Sequence, residues 1–332
     1  MALYAKIAAM KRILIVKTTS MGDVIHALPV VEDILRHVPD AHIDWLVEAS
    51  FADIPRLHPR VQQVFTVALR RWRKQWWRRQ TWQEIAAAKR AVGAQRYDAI
   101  LDLQGLVKSA VIACWADGPR HGYDRQSIRE PMASFAYQHR YAISYRQHAV
   151  LRMRKLAAMA LGYALPDDLP AYGLTAEVQP ARQAAFLALH ATSRDSKLWP
   201  EARWVALGQH YAAQGLQMWL PWAGNHERAR AERIALQVPN ALVLPKWSLQ
   251  QLASHMTQAR FAVGVDTGLS HLAAALDLPV VAIYTDTEPA FTGVAGGHRA
   301  PAINLGGKGQ VPEVAQITTA IAAMPGGIFA RD

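Results

Sequence analysis

Short runs of branched aliphatic residues alternate with longer stretches of helical spacing along this chain of 332 residues. In the first half, the aliphatic runs predict buried strands at 12–16, 42–47, 63–67 and 97–103. Helical spacing predicts helices at 22–37, 81–95, 106–116 and 147–162. Strands that alternate with helices favour parallel pairing, so this half is expected to be a Rossmann-like α/β domain.

The alternation restarts after a proline-rich stretch without periodicity, which we interpret as a linker over 164–184. Strands are then predicted at 185–190, 216–220, 241–244, 261–266 and 280–284. Helices are predicted at 201–214, 226–236, 248–257 and 268–276. We therefore expect Rossmann-like domains over 1–163 and 185–332, with packing of the C-terminal helix back on the first domain as an open alternative. Two such domains would face each other across a cleft at their strand ends, where ligands bind.

The composition fits a globular protein, because 51% of the residues are hydrophobic and only 19% are charged. No apolar run approaches the ~18 residues that a membrane span needs. The first ten residues are too short and too weakly apolar for a signal peptide, and we interpret them as a loose leader with Met1 or Met10 as the start. The single cysteine, Cys114, cannot form an internal disulfide, which fits a reducing compartment.

The basic charge of the chain is concentrated in one segment, RRWRKQWWRR, which runs from Arg70 to Arg79. The segment supplies six of the net charge of +11, so the rest of the chain carries only +5. On a helical wheel, Leu69, Trp72 and Trp76 fall on one side. The cations that fall roughly opposite are Arg70, Arg71, Lys74 and Arg78. A solvated basic helix with its aromatic side packed on the domain explains this pattern, and so does a site for nucleic acid, an anionic membrane surface or an acidic sugar.

The turn after the first predicted strand is rich in polar side chains, in the segment KTTSMGDVIHALP at 17–29. Such a turn lies at the carboxyl edge of a parallel sheet, where ligands bind. Gly22 allows a tight turn. Asp23 follows it at a helix start and is either the N-cap or a general base. Lys17 and Ser20 belong to the same loop. The glycine pattern GxGxxG is absent from this turn, which argues against a dinucleotide-dependent dehydrogenase.

A second candidate site is predicted at VGVDTGLSHLAAAL, residues 263–276. A strand ends at Asp266, and the residues at 267–270 begin an apolar helix whose free N–H groups and dipole favour an anion such as a diphosphate. Asp266 is either a ligand of a sugar hydroxyl or a helix cap. His271, one turn into the helix, is more typical of a structural histidine than of a catalytic one.

Two further loops in the second half follow predicted strands. HATSRDSKLWP carries Thr192, Ser193 and Lys197, whose hydroxyls and ammonium suit phosphate oxygens, although a solvated loop explains them equally well. LPWAGNHERAR carries Glu227 in the first turn of a helix, where an acid is favoured without any ligand. The histidines are scattered and no carboxylate pair sits at a strand end, so no metal is expected.

Together these segments resemble the bacterial lipopolysaccharide heptosyltransferases of type I, in the ADP-heptose:lipopolysaccharide heptosyltransferase family (glycosyltransferase family 9). The matching motifs are KTTSMGDVIHALP, RRWRK, LDLQGLVKSA, HATSRDSKLWP, LPWAGNHE and VDTGLSHLAAAL. The resemblance implies a GT-B fold, in which two Rossmann-like domains face a central cleft. It also implies an inverting transferase that moves L-glycero-D-manno-heptose from ADP-heptose to the first Kdo of Kdo2–lipid A, without a metal or other cofactor.

The resemblance further implies roles for individual residues, with Asp23 as the catalytic base. At the donor site it implies Thr192, Ser193 and Lys197 at the phosphates, Glu227 at the ribose, Trp247 in the adenine segment, and Asp266, Thr267, Gly268, Leu269 and His271 at the heptose and diphosphate. On the acceptor side the candidates are Lys17, Ser20, Gly22, Arg70, Arg71, Arg73 and Lys74. Because Kdo2–lipid A is anionic and sits in the cytoplasmic leaflet, we expect a cytoplasmic enzyme bound peripherally to the inner membrane, with no nucleic acid partner.

The sequence departs from the family pattern at two places. The family usually has Gly-Pro after the last long strand of the donor domain, whereas this chain has Thr285 and Asp286. The family's adenine segment often reads LPKMSL, and here it is LPKWSL with Trp247. Three alternatives stay open: a heptosyltransferase of type II or another inverting GT-B transferase, a basic nucleic-acid-binding protein, and a non-catalytic binder of sugar nucleotides.

Overall fold

The structure is a computed structural model that describes residues 12–175, 184–297 and 299–324. The chain divides into two compact units, Met1–Asp168 and Leu169–Asp332. The division lies within the segment 164–184 that the sequence marks as a linker. In the first unit, the buried Arg154 guanidinium binds the Asp33 carboxylate at 2.7 and 2.9 Å and donates to the Asp168 carbonyl at 3.0 Å. These contacts fasten the end of the first unit to two of its helices.

The first unit contains a parallel sheet of six strands in the order β3-β2-β1-β4-β5-β6. The strands are β1 Arg12–Val16, β2 His42–Glu48, β3 Val61–Val67, β4 Ala99–Asp102, β5 Arg120–Tyr123 and β6 His139–Tyr141. The central strands are nearly continuous apolar runs because helices cover both faces of the sheet. The positions of the first four strands confirm the sequence prediction.

The helices of the first unit are α1 Met21–Ile25, α2 Leu28–His37, α3 Asp53–Arg56, α4 Leu69–Lys74, α5 Arg79–Gly93, α6 Val107–Ala113 and α7 Ala149–Leu161. The single helix predicted over 22–37 was wrong, because the structure has α1 and α2 there. Pro29 explains the break: it lacks the N–H that would bond to the Ile25 carbonyl, and its ring clashes with that carbonyl in a continuous helix. Pro29 instead occupies the first turn of α2, where a missing N–H costs little.

The second unit contains another parallel sheet of six strands, in the order β12-β11-β10-β7-β8-β9. The strands are β7 Ala185–Leu189, β8 Gln217–Leu220, β9 Leu242–Val243, β10 Phe261–Val265, β11 Val280–Tyr284 and β12 Ala302–Gly306. The helices are α8 Glu201–Ala212, α9 Asn225–Ala235, α10 Leu249–Met256, α11 Gly268–Ala275, α12 Pro289–Thr292 and α13 Val314–Ala322. Two parallel α/β sheets confirm the predicted fold class.

The last described helix, α13, belongs to the core of the second unit. Its Ile317 and Ile321 are buried in the same apolar cluster as Phe186 of β7 and Trp204 of α8. Packing of a C-terminal helix on the first domain stays a prediction, and residues 325–332 lie outside the described residues. In the described part of the chain, no helix is long and apolar enough to cross a membrane.

Candidate functional site

Asp23 lies in the first turn of α1, directly after the strand β1 and the loop 17–20. Ser20 is the N-cap of α1, and Asp23 is the third helical residue, which completes a capping box. The capping interpretation therefore holds in this form, and the role of Asp23 as a base stays a prediction. Oδ2 of Asp23 accepts hydrogen bonds from the Ser20 N–H at 2.9 Å and the Ser20 hydroxyl at 2.8 Å. Oδ1 lies 4.0 Å from the Nζ of Lys17, and the Asp23 side chain is 37% exposed. Gly22 sits between Ser20 and Asp23 in this first turn. The carboxylate is thus held in place and reachable from solvent.

Lys17 is buried beneath this loop, and its Nζ donates to the Leu103 carbonyl at 3.3 Å. Burial lowers the pKa of the Lys17 amine, while the nearby carboxylates of Asp23 and Asp102 act to raise it. Lys17, a predicted acceptor residue, is therefore buried and forms an ion pair with Asp23.

Gln104 fixes the loop that carries Asp23, and sequence analysis assigned it no role. Its side-chain oxygen accepts the backbone N–H groups of Thr18 and Thr19, each at 3.0 Å. Gln104 follows β4, and its own N–H donates to the buried Asp102 carboxylate at 2.9 Å. Burial raises the pKa of Asp102, against hydrogen bonds from Tyr137 and its neighbours that act to lower it. The only sequence signal for Gln104 was its place in the motif LDLQGLVKSA at a strand end.

In the second unit, the predicted donor residues Lys197 and Asp266 form an ion pair. Nζ of Lys197 lies 2.5 Å from Oδ2 of Asp266, and their side chains are 14% and 15% exposed. The hydroxyl of Thr287 donates to the same oxygen at 2.5 Å, and Thr192 donates to the Asp266 main-chain carbonyl at 3.1 Å. Thr192, Lys197 and Asp266 are thus brought together, whereas Ser193 of the same loop is exposed. Thr287 was missed, although it lies in the stretch that departs from the family pattern.

That departing stretch anchors the loop that carries Lys197. The Thr285 hydroxyl donates to the Ser196 carbonyl at 2.8 Å, and the Ser196 hydroxyl donates to the Asp286 carboxylate at 2.7 Å. Thr285 and Asp286 therefore have a clear structural role in this chain, because they fix the residue that precedes Lys197.

Thr267 is the N-cap of α11, and Gly268 and Leu269 form its first turn. The hydroxyl of Ser270 donates to the Val265 carbonyl at 2.7 Å, which ties the helix to the end of β10. Close packing here requires Gly264, because a Cβ at that position would lie 2.2 Å from the Ser270 hydroxyl oxygen. The first N–H groups of any helix lack partners within the helix, and this one begins beside the Lys197–Asp266 pair. His271, in the same helix, is buried.

Glu227 and Trp247 lie at the starts of two neighbouring helices of the second unit. The Glu227 carboxylate accepts the N–H of Ala223 at 2.7 Å and so closes the first turn of α9. Trp247 is half-buried and packs on His255, with their ring centroids 3.8 Å apart. This capping contact explains an acid at position 227 without any ligand, and a ribose contact of Glu227 stays a prediction.

The basic segment 70–79 is not one continuous helix, because α4 ends at Lys74. Trp72 is buried in the core of the first unit, as expected, but Trp76 is 64% exposed and the wheel was wrong for it. Arg71 was also placed on a free cationic face, yet its guanidinium binds the Glu84 carboxylate at 2.6 and 3.1 Å. The segment therefore presents the remaining exposed cations, which are Arg70, Arg73, Lys74, Arg78 and Arg79.

No group of three or more histidine, cysteine, aspartate or glutamate side chains within residues 12–175, 184–297 and 299–324 could hold a metal ion. What the arrangement offers chemically is a held carboxylate in the first unit, and a cation and a helix start in the second. The first suits proton abstraction and the second suits an anionic group.

The family model of glycosyltransferase family 9 (heptosyltransferase) matches residues 85–320. The chain is 45% identical over 287 residues to lipopolysaccharide heptosyltransferase 1 of Salmonella typhimurium, covering 85% of this chain and 90% of that one. It is 44% identical over 305 residues to lipopolysaccharide heptosyltransferase 1 of Escherichia coli K12, covering 89% and 95%.

Among solved structures, the chain is similar to the E. coli heptosyltransferase WaaC with ADP. The TM-score is 0.88 at 41% sequence identity, and the match covers 94% of this chain and 99% of that one. The fold of this chain is thus shared with an enzyme that was solved with ADP.

Proposed function

The chain belongs to glycosyltransferase family 9, and from this premise we propose that it transfers L-glycero-D-manno-heptose from ADP-heptose to the first Kdo of Kdo2–lipid A. The observation that carries the proposal is the identity of 44–45% to heptosyltransferases named type 1, over at least 85% of the chain. In this proposal, residues of each unit supply part of the chemistry that an inverting transfer needs.

On the acceptor side, Asp23 acts as the general base. Its carboxylate takes the proton of the attacking Kdo hydroxyl while that oxygen forms a bond to the anomeric carbon of the heptose. The hydrogen bonds from Ser20 fix the carboxylate, and Nζ of Lys17 lies 4.0 Å from its Oδ1.

On the donor side, the bond between the anomeric carbon and the phosphate oxygen of ADP breaks, and negative charge grows on the diphosphate. Lys197 and the first turn of α11 stabilise that charge. Asp266 holds Lys197 in place before the donor binds. With the diphosphate bound, the ammonium shifts its contact to the phosphate oxygens and the Asp266 carboxylate is released for a sugar hydroxyl.

The exposed cations of the basic segment capture the acceptor and hold the enzyme peripherally on the cytoplasmic face of the inner membrane. Arg70, Arg73 and Lys74 are exposed. Arginine forks suit the carboxylates and phosphates of the acceptor, and each basic residue near an anionic bilayer contributes about 1 kcal/mol. Arg71 contributes less to this surface because Glu84 already neutralises it.

The test is incubation of the protein with ADP-heptose and Kdo2–lipid A, followed by mass spectrometry of the lipid. We expect addition of one heptose by the wild-type chain and strongly reduced addition by Asp23→Asn, whose donor affinity should match the wild type. No product from the wild type would refute the proposal. A chain that instead modifies only an acceptor that already carries a heptose would be a type II enzyme.

A further inference from the structure

The first unit contains an open apolar pocket of about 340 Å³ between the basic segment and the helix α6. Its walls include the indole rings of Trp72, Trp76, Trp82 and Trp115 and the side chain of Val111. The volume lies within the range of ligand pockets, about 300–1,000 Å³. The lining of the pocket includes neither Asp23 nor the loop 17–20, and the proposed transfer chemistry makes no use of the pocket.

The outer wall of the pocket exposes large apolar side chains to solvent. Trp76 is 64% exposed, Trp82 is 58% exposed and Val111 is 55% exposed. The polar atoms of two of the rings are engaged elsewhere. The indole N–H of Trp82 donates to the Trp76 carbonyl at 2.7 Å, and that of Trp72 donates to Glu84 at 2.7 Å. The rings therefore present apolar surface to the pocket, and exposed surface of this kind marks a binding site for an apolar group.

The rim of the pocket is cationic and adjoins the candidate base. Arg73 and Lys108 both line the pocket. Nζ of Lys108 donates to the Thr19 hydroxyl at 3.0 Å, and Thr19 precedes Ser20, which holds Asp23. One side chain therefore touches both the apolar pocket and the loop of the base. A ligand that fills the pocket must carry an apolar part beside an anionic, hydrophilic part.

The apolar surface continues beyond the pocket along the outer face of α6. Val107 lies one turn before Val111 on the same face and is 42% exposed. The 3₁₀ turn Pro131–Ala136 packs against α6 and exposes Met132 by 70% and Phe135 by 60%. A bilayer surface fits a band of this kind, because the apolar side chains enter the acyl boundary while the cations meet the headgroups.

We propose that this pocket holds one fatty acyl chain of the acceptor lipid while its anionic headgroup is bound at Arg73 and Lys108 and its sugar reaches Asp23. The inference rests on the proposed function. It adds that the enzyme recognises the lipid part of the acceptor as well as its sugars. Each methylene that leaves water for the pocket increases affinity by a factor of roughly four. A few methylenes therefore suffice to set the affinity for an acylated acceptor.

The test compares two acceptors, Kdo2–lipid A and its fully deacylated form, with wild type and Val111→Glu. Val111 is exposed on α6, so glutamate there places a charge at the pocket without disturbing the core. We expect the KM for the acylated acceptor to rise at least ten-fold in Val111→Glu, with an unchanged KM for the deacylated acceptor and for ADP-heptose. Met159→Glu is the matched control, because Met159 is 50% exposed on α7 and does not line the pocket.

Three results would overturn the inference. The first is an unchanged KM for the acylated acceptor in Val111→Glu, and the second is an equal change for both acceptors. The third is loss of a dimer in sedimentation without any change in KM, which would make the pocket an interface between two copies of the chain. A wild-type protein that modifies neither acceptor overturns the proposed function and this inference with it.

Discussion

Replacing Lys197 with alanine should weaken ADP binding by about ten- to hundred-fold. The ammonium lies at the end of the loop after β7, beside the start of α11, and its side chain is only 14% exposed. A hydrogen bond to a charged group contributes about 1.5–3 kcal/mol, and each 1.4 kcal/mol is a factor of ten in affinity. The transfer rate should fall as well, because the same cation stabilises charge on the departing ADP.

Loss of the ion pair with Asp266 should weaken ADP binding by Lys197→Ala for a second reason. Without Lys197, the Asp266 carboxylate keeps its bond from Thr287 but loses the cation, and it then repels the incoming diphosphate. The double variant Lys197→Ala/Asp266→Asn removes this repulsion. We therefore expect the double variant to bind ADP more tightly than Lys197→Ala and still more weakly than the wild type. Asp266→Asn alone should bind ADP at least as tightly as the wild type, because its Lys197 has no competing carboxylate.

Isothermal titration calorimetry with ADP on the four proteins measures these differences, and melting temperatures report on folding. Lys197→Ala should melt at a lower temperature, because removing one partner leaves a largely buried charge unpaired. The double variant should recover part of that loss. An unchanged ADP affinity in Lys197→Ala would refute the assignment. Full recovery of ADP affinity in the double variant would show that Lys197 serves only to neutralise Asp266.

Four further predictions concern the base, the membrane surface, the metal and a buried histidine. Asp23→Asn should reduce kcat by about 10²–10⁴-fold, the usual contribution of a general base, with little change in ADP affinity or melting temperature; turnover within a few-fold of wild type would contradict this role. Replacing Arg70, Arg73 and Lys74 with glutamine should weaken sedimentation with anionic vesicles by about ten- to hundred-fold and raise the acceptor KM, whereas loss of tight single-stranded nucleic acid binding instead would point to the rival function. Turnover should persist in excess EDTA, and its loss with recovery in Mg²⁺ or Mn²⁺ would show a required metal. His190 is buried, and burial and the nearby Arg230 cation lower its pKa to about 4. In the unfolded chain, His190 takes up a proton near pH 6.5, whereas in the folded protein it does so only near pH 4. The folding stability that is present above pH 6.5 is therefore lost as the pH falls. At pH 4.5 the free energy of unfolding should be lower by about 2–3 kcal/mol than at pH 7. Urea unfolding at both pH values should show this loss in the wild type and not in His190→Gln. An equal loss in the variant would contradict His190 as its origin.

The hydrophobic pattern of the sequence determined most of the fold. Strands such as β1 and β10 are buried on both faces, so they must be continuous apolar runs, and such runs are visible without a structure. The strands β5 and β6 were missed for the opposite reason. Their sequences, RHGY and HRY, contain no branched aliphatic residue, although β5 is mostly buried and only β6 lies at the edge of the sheet. The break at Pro29 was readable in principle, because proline disrupts a helix interior wherever it occurs.

In the candidate site too, the local sequence pattern predicted some residues, whereas their pairing depends on residues far apart in the chain. Asp23, Lys197 and Asp266 were predicted because turns after parallel strands lie at one edge of a sheet, which is a property of the local pattern. The pairing of Lys197 with Asp266 joins residues 69 positions apart and required the tertiary structure. The same holds for Arg71, whose partner Glu84 follows a turn that no periodicity marks.

The tryptophan pocket shows most clearly what only the tertiary structure decided. Trp76 and Trp82 were visible in the sequence as apolar residues, but a helical wheel placed Trp76 against the protein. The helix α4 ends at Lys74, and the chain then turns, so Trp76 is carried outward to form a wall with Val111 of a distant helix. Helix ends and long-range packing depend on the whole chain, because the free energy that fixes them comes from contacts between residues far apart in sequence.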